Sequence, residues 1–249
     1  MARGLIVLLL ALQGDEVAQG VKLLLDVTSP LDARESAVKK LAKTKAGAAA
    51  MGALVDQEKF PEELKATARF ALAASPDAEA RALGDKKLPR PKAKDGAPLP
   101  PIGELAARKG DAAAGAKVYR RTEGPNCIGC HQIGDEGRLV GPPLTTIGLK
   151  LGREQMYESI LTPSAGILMS YEVWAVRTKD GDVKSGIKVE DTDDHVTLKD
   201  TQGEYIDIPL ARIAEKKMLK LSMMPEELTK AMTVQELVDL IEYMSQLKQ

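Results

Sequence analysis

No stretch constrains this chain more than Cys127-Ile128-Gly129-Cys130-His131. The rest of the sequence must be compatible with whatever two thiols and an adjacent imidazole hold. These are the only two cysteines among 249 residues, and His131 is one of only two histidines, so the motif has few partners elsewhere. A zinc site needs four ligands, and the remaining histidine, His195, stands alone in a strand-like segment. A redox dithiol of the thioredoxin kind needs a βαβ setting, which the flanking glycines and prolines do not supply. The spacing suits covalent haem attachment best: each sulfur adds to one vinyl group, and the imidazole becomes an axial ligand of the iron.

The net charge of −1 gives no electrostatic footprint for nucleic acid. Aromatics are only 3% of the chain, which favours helices packed through small and aliphatic side chains over a β-sandwich. Residues 1–13 carry the apolar run Leu5 to Leu12 behind Arg3. That run fits either the core of an export signal or a first amphipathic helix, and is too short to span a bilayer comfortably. No other stretch approaches transmembrane length.

Residues 14–85 read as successive short helices: Glu16 to Val27, Asp32 to Lys43, Gly47 to Val55 and Pro61 to Ala74, the last ended by Ser75-Pro76-Asp77. Each is too small to bury its own apolar face, which points to a helical repeat. Residues 86–101 are rich in proline and lysine and read as an extended linker. Residues 102–249 follow as the second half. Asp111 is placed to cap a helix through Tyr119, and Arg153 to Leu161 is helical. Residues 170–214 switch to period two in short alternating segments, predicting a small antiparallel meander that curls into a partial barrel. "TVQELVDLIEYMSQL" closes the chain as an amphipathic helix.

A haem iron facing His131 needs a sixth ligand or an open position. His195 lies between Asp194 and Val196 at an expected hairpin edge. Seven methionines follow the motif, of which Met156 and Met244 sit in helical patterns that suit a core role. The residues by themselves leave Met223, Met224, His195 and an open site as alternatives.

Several stretches resemble cytochrome c. "GDAAAGAKVY" is similar to its N-terminal helix, with Gly115 and Tyr119 at the positions that pack on the C-terminal helix. "DLIEYM" is similar to that partner, with Leu240 and Tyr243 at the contact. "GPPL" resembles the loop whose proline carbonyl accepts the axial histidine N–H, which would be Pro142 here. Such a bond fixes the tautomer and tunes ligand basicity. "SMMP" resembles the ligand loop and favours Met224 as the sixth ligand, with Met223 as the register alternative. The haem-binding set implied is Cys127, Cys130, His131, Pro142 and Met224, with His131 and Met224 on the metal.

Over residues 30–249 the arrangement resembles the planctomycete-type haem-binding domain family, in which a HEAT-type helical repeat precedes a cytochrome c carrying a β insert. "SPLDARESAVKKLAK" and "FPEELKATARFALAAS" resemble HEAT repeats. "ILTPSAGILMSYEVWAVRTKDGDVKSG" and "LSMMPEELT" stand where the family has its signatures. One departure is "PEEL", where Pro-Glu-Gly-Leu is expected. The fold class implied is mainly α: a HEAT-like repeat, then a class I-like cytochrome c domain interrupted by an antiparallel β meander.

The resemblance implies one covalent haem c, single-electron transfer, and a periplasmic or otherwise exported location, with or without membrane association. The partner implied is a redox protein, either a dehydrogenase or an oxidase. No catalytic triad, carboxylate pair or phosphate loop is evident, so an electron carrier is expected rather than an independent enzyme. The alternatives are a haem enzyme or gas sensor with a displaceable sixth ligand, and an adaptor whose helical repeat is the working surface. Trp174 is expected in the core or packed between insert and haem, Lys216, Lys217 and Lys220 are expected to be solvated or to frame the haem edge for an acidic partner, and Arg138, Arg153 and Tyr171 are candidates for haem propionates.

Overall fold

The computed structural model describes residues 14–88, 90–219 and 221–248; the apolar run within residues 1–13 lies outside them. Two compact units are present. One runs up to Lys92 and takes in Pro98 to Ala107; the other combines Ala93–Ala97 with the chain from Arg108 onward. No helix among the described residues is long and apolar enough to cross a membrane.

The first unit is helical: α1 (Gly14–Leu25), α2 (Leu31–Leu41), α3 (Lys45–Asp56), α4 (Lys65–Ala73), α5 (Ala78–Lys87) and α6 (Ile102–Ala107). Helices α1 to α5 contribute apolar residues to one core, with Leu24, Val38 and Met51, and Leu64 of the turn before α4, almost fully buried. Arg34 is buried beside them. Its Nε donates to the Leu24 carbonyl at 3.0 Å and its Nη1 to Glu63 at 2.8 Å, which compensates part of the burial of its charge.

Helix α5 was not expected. Helix α4 ends at Ala73, and Asp77 starts the next helix, its carboxylate accepting from the Ala80 amide at 2.9 Å. Contacts run through 86–101 as well. Lys86 and Lys87 finish α5, Arg90 donates to the Leu99 carbonyl at 2.8 Å, and Leu99 is fully buried. Prolines stiffen this stretch, but its apolar residues are anchored.

In the second unit α7 (Ala112–Arg120) packs against the closing helix α10 (Val234–Ser245). Asp111 caps α7, accepting from Ala113 and Ala114 at 2.8 and 3.1 Å. Thr233 and Glu236 form a reciprocal capping box on α10: the hydroxyl accepts from the Glu236 amide and the carboxylate from the Thr233 amide. The crossing is unusually close. A Cβ on Gly115 would lie 2.0 Å from the Asp239 carbonyl oxygen, and one on Gly110 would lie 2.7 Å from that of Val238. Asp239 is buried and spans the two helices, accepting from the Asp111 amide at 2.8 Å.

Ion pairs fasten α10 to its surroundings: Arg121 to Glu236, and Arg153 of α9 (Arg153–Leu161), which follows the short α8 (Ile147–Lys150), to Glu242, both at 2.5 Å. Burial alone would raise both carboxyls. Their guanidinium partners and further hydrogen bonds outweigh it, holding each below its usual 4.5. Stability from these two groups is therefore present above about pH 4.5 and is lost as pH falls through the lowered values. A urea titration repeated from about pH 5 to about pH 3 is expected to show a falling midpoint, with a shallower fall in Glu236→Gln. An equally steep fall in that variant would remove Glu236 from the account.

Between α9 and α10 stands a five-stranded antiparallel sheet: β3 (Val173–Thr178), β4 (Val183–Asp191), β5 (His195–Lys199), β6 (Tyr205–Pro209) and β7 (Ile213–Met218). The order is β6-β5-β4-β3-β7. The first four strands are the expected meander. β7 continues past residue 214 and returns to the free edge of β3, pairing Trp174 with Met218. Only Leu210–Arg212 joins β6 at one edge to β7 at the other. Three residues reach about 10 Å, whereas the outer strands of a flat five-stranded sheet lie about 19 Å apart. The sheet must therefore curl. Val176, Val196, Leu198 and Ile208 fill its inside, with Trp174 packed against them.

Candidate haem site

The motif lies just beyond α7, where Asn126, in left-handed backbone geometry (φ 47°), turns the chain into a single 3-10 turn, Cys127–Gly129. That turn offers the Cys127 carbonyl to the amides of Cys130 and His131, at 3.1 and 2.9 Å. A short hairpin follows, β1 (Gln132–Ile133) with β2 (Glu136–Gly137). The loop beyond it folds back over His131. The amides of Val140 and Gly141 both donate to the Cys130 carbonyl, at 3.0 and 2.7 Å.

His131 is thereby held on three sides. Its Nδ1 lies 2.7 Å from the Pro142 carbonyl oxygen. A carbonyl has no proton to give, so Nδ1 carries the hydrogen, and in the neutral ring Nε2 keeps its lone pair for a metal. Burial lowers the imidazole pKa, opposed in part by the Pro142 bond, which favours the neutral ring near pH 7. A Cβ on Gly141 would meet the ring at 2.7 Å, so the loop lies flat against the imidazole. Behind it, the buried Tyr119 hydroxyl donates to the His131 carbonyl at 2.7 Å, and its ring lies 6.1 Å from that of Tyr243. Burial pushes the Tyr119 hydroxyl up to about 12, so it remains a donor at any physiological pH. The α7–α10 crossing is thus linked to the motif through one side chain.

Both cysteines are free thiols. Burial pushes Cys127 up to about 11 and raises Cys130 as well, the latter offset in part by Arg138. Redox dithiols and zinc ligands work as thiolates, and this environment disfavours thiolates. Among the described residues no group of three or more His, Cys, Asp or Glu is placed to hold a metal ion. Two neutral thiols, a neutral imidazole with Nε2 unengaged by Pro142, and a glycine-flattened loop fit a covalently attached haem. Exposed apolar side chains fit it too: Met169 and Met218, 81% and 48% exposed, line one cavity with Val140 of the loop that follows the motif.

The other named residues lie elsewhere. Met223 and Met224 are half-buried in the loop after β7. That loop is tied down by the Ser222 amide donating to Ser164 Oγ at 3.2 Å, and the Met224 amide bonds Ser222 Oγ at 3.1 Å. His195 stands at its hairpin with Nδ1 3.0 Å from the Thr192 hydroxyl, and its Nε2 lies 3.6 Å from Glu190, beyond hydrogen-bond distance. Arg153 is committed to Glu242 and to the Arg108 carbonyl, and Arg138 to the Gln202 carbonyl. Lys216 pairs with Asp191. Sequence reasoning missed Asp239, Gly141 and the Tyr119 hydroxyl contact. For Gly141 the only signal was a glycine directly before the expected proline.

Residues 112–197 match the cytochrome c family, from the first residue of α7 to the middle of β5. That span includes the motif and Pro142 and ends before Met224 and α10. No curated protein matches the chain. The second unit therefore carries a cytochrome c domain with a five-stranded antiparallel sheet inserted, and such a domain implies haem-based electron transfer.

Proposed function

We propose that this chain is a monohaem c-type cytochrome that passes single electrons to and from a protein partner. Cys127 and Cys130 would hold the haem as thioethers, with His131 and Met224 as its axial ligands. The observation that carries this reading is the His131 Nδ1–Pro142 contact of 2.7 Å beside two free, neutral thiols. It fixes the ring so that only Nε2 is offered outward.

The haem would supply a one-electron iron couple; the chain supplies its environment. Pro142 holds the proton on Nδ1. Gly141 sets the plane of the ring, and Tyr119 ties the motif to the helix pair. Met224 is favoured over His195 because "SMMP" resembles the cytochrome c ligand loop, whereas His195 stands at a hairpin of the inserted sheet. A thioether there would raise the reduction potential relative to bis-histidine ligation and keep small ligands from the iron. The resemblance to the planctomycete-type family supports taking residues 14–85 as a HEAT-like docking scaffold and 102–249 as the haem-carrying half. It also supports an exported protein whose partner is a periplasmic dehydrogenase or oxidase.

Visible spectra of both redox states test the ligand set. The native protein is expected to be low-spin with a methionine–iron signature, which Met224→Ala abolishes. Persistence of that signature would move the ligand to Met223. A high-spin resting ferric iron would replace the carrier by a haem enzyme or gas sensor.

A further inference from the structure

Three contacts join the inserted sheet to the loop that fixes His131. Arg138 Nη1 donates to the Gln202 carbonyl at 2.9 Å, and Lys199 Nζ donates to the Leu139 carbonyl at 2.9 Å. Gly203, at φ 79°, presents its bare Cα to Val140, where a Cβ would come within 3.2 Å of Cγ2. Lys199, Gln202 and Gly203 all belong to the end of β5 and the turn into β6. Arg138, Leu139 and Val140 are consecutive and lead directly into Gly141 and Pro142. We propose that the β5–β6 turn is a brace that positions the proximal loop, with Arg138 and Lys199 as positioning residues for His131.

The loop ends at Leu144, whose amide donates to the Gln132 carbonyl at 2.8 Å. On its inner side it holds to the motif through Val140 and Gly141, which donate to the Cys130 carbonyl, and through the Arg138 amide, which donates to the His131 carbonyl at 3.3 Å. On its outer side the brace meets three consecutive residues with two cationic donors and one close backbone approach. A shift at Leu139 passes through only three residues to the Pro142 carbonyl. The strength of that carbonyl's bond to Nδ1–H sets how basic the imidazole is. A weakened bond makes the ring a poorer donor, and a poorer donor favours the ferrous over the ferric iron.

The inference rests on the haem reading for its electronic half and stands on geometry alone for its mechanical half, so two readouts are needed. The double variant Arg138→Met/Lys199→Met, made in the full chain, keeps both side-chain stems and removes both donors. Amide exchange at Val140 and Gly141 is expected to accelerate about tenfold, while that of Asp111, held by Asp239 far along the sequence, stays unchanged. In the ferrous haem-loaded variant the His131 Nδ1 proton should also exchange faster, a readout that the loss of two cations does not itself move, and Arg138→Met/Lys199→Arg, which restores one donor, should recover part of both shifts. Unchanged exchange at Val140 and Gly141 would overturn the brace, and so would equal acceleration at Asp111, which would signal general loosening. Faster exchange at Val140 and Gly141 with an unaltered Nδ1 proton would overturn the link to His131. If the native chain attaches no haem, the haem reading fails and the exchange experiment alone decides the brace.

Discussion

Gly115→Ala is expected to destabilise the second unit by about 3 kcal/mol or more, although alanine is the better helix former. Intrinsic propensity alone predicts the opposite sign, a gain of about 1 kcal/mol inside a helix such as α7. Packing decides against it. The new methyl would lie 2.0 Å from the Asp239 carbonyl oxygen and 2.8 Å from Tyr243 Cβ. The first of these is backbone, so no rotamer change relieves it. α7 and α10 must separate, which stretches the Asp111–Asp239 bond and draws Tyr119 away from the His131 carbonyl. Against a total stability of about 5–15 kcal/mol for a domain, a loss of this size leaves a marginal fold. Urea titration of Gly115→Ala beside Ala113→Gly makes the comparison. Ala113 is exposed on the same helix, so its replacement should cost only the propensity term, about 1 kcal/mol. A stabilised Gly115→Ala would show that the helices are free to move apart.

Gly141→Ala should leave the backbone unstrained and act almost entirely on the imidazole. Its methyl would stand 2.7 Å from His131 Cε1 and 3.0 Å from Nδ1, well inside contact distance. The ring must tilt, and its bond to Pro142 must lengthen. Overpacking of this kind costs about 1–3 kcal/mol, and the weakened hydrogen bond adds about 1 kcal/mol. In the haem-loaded protein the tilt should convert part of the low-spin population to high-spin. A room-temperature visible spectrum would show this, and titration with added imidazole should restore the low-spin form. A spectrum indistinguishable from the native one would mean that the loop yields instead of the ring.

How much of this was legible in the sequence depended on the range of each interaction. Gly115 and Tyr119 could be placed together because they lie one helical turn apart, and Asp111 could be read as a cap because its partners are two and three residues on. Asp239 could not. An aspartate in an amphipathic helix reads as solvent-facing, and its partner amide is 128 residues away. Helix α5 escaped because Ser75-Pro76-Asp77 was read as a stop, whereas the carboxylate of Asp77 equally opens a helix. The period-two segments marked strands but not their order. Alternation says which side chains share a face, and the return of β7 to β3 is fixed by the short crossing at Leu210–Arg212. The brace on the proximal loop depends on backbone carbonyls, which every residue carries, so no side-chain pattern announced it.

The return of β7 also bears on how such a chain can arise and be re-engineered. The Leu219 amide donates to the Val173 carbonyl at 2.8 Å, so the sheet begins and ends at neighbouring points. To the helices on either side, the whole of β3 to β7 is a stem whose two ends already touch, like the mouth of a short loop. Closing it costs the host little more chain entropy than a tight turn, since that cost grows only slowly with length and the sheet's own pairing holds the ends together. A cassette with this topology can be gained, trimmed or exchanged without retuning the helices that flank it. Its hydrogen bonds to the host, among the described residues, come from Lys199 and Gln202, which lean on the loop before Gly141.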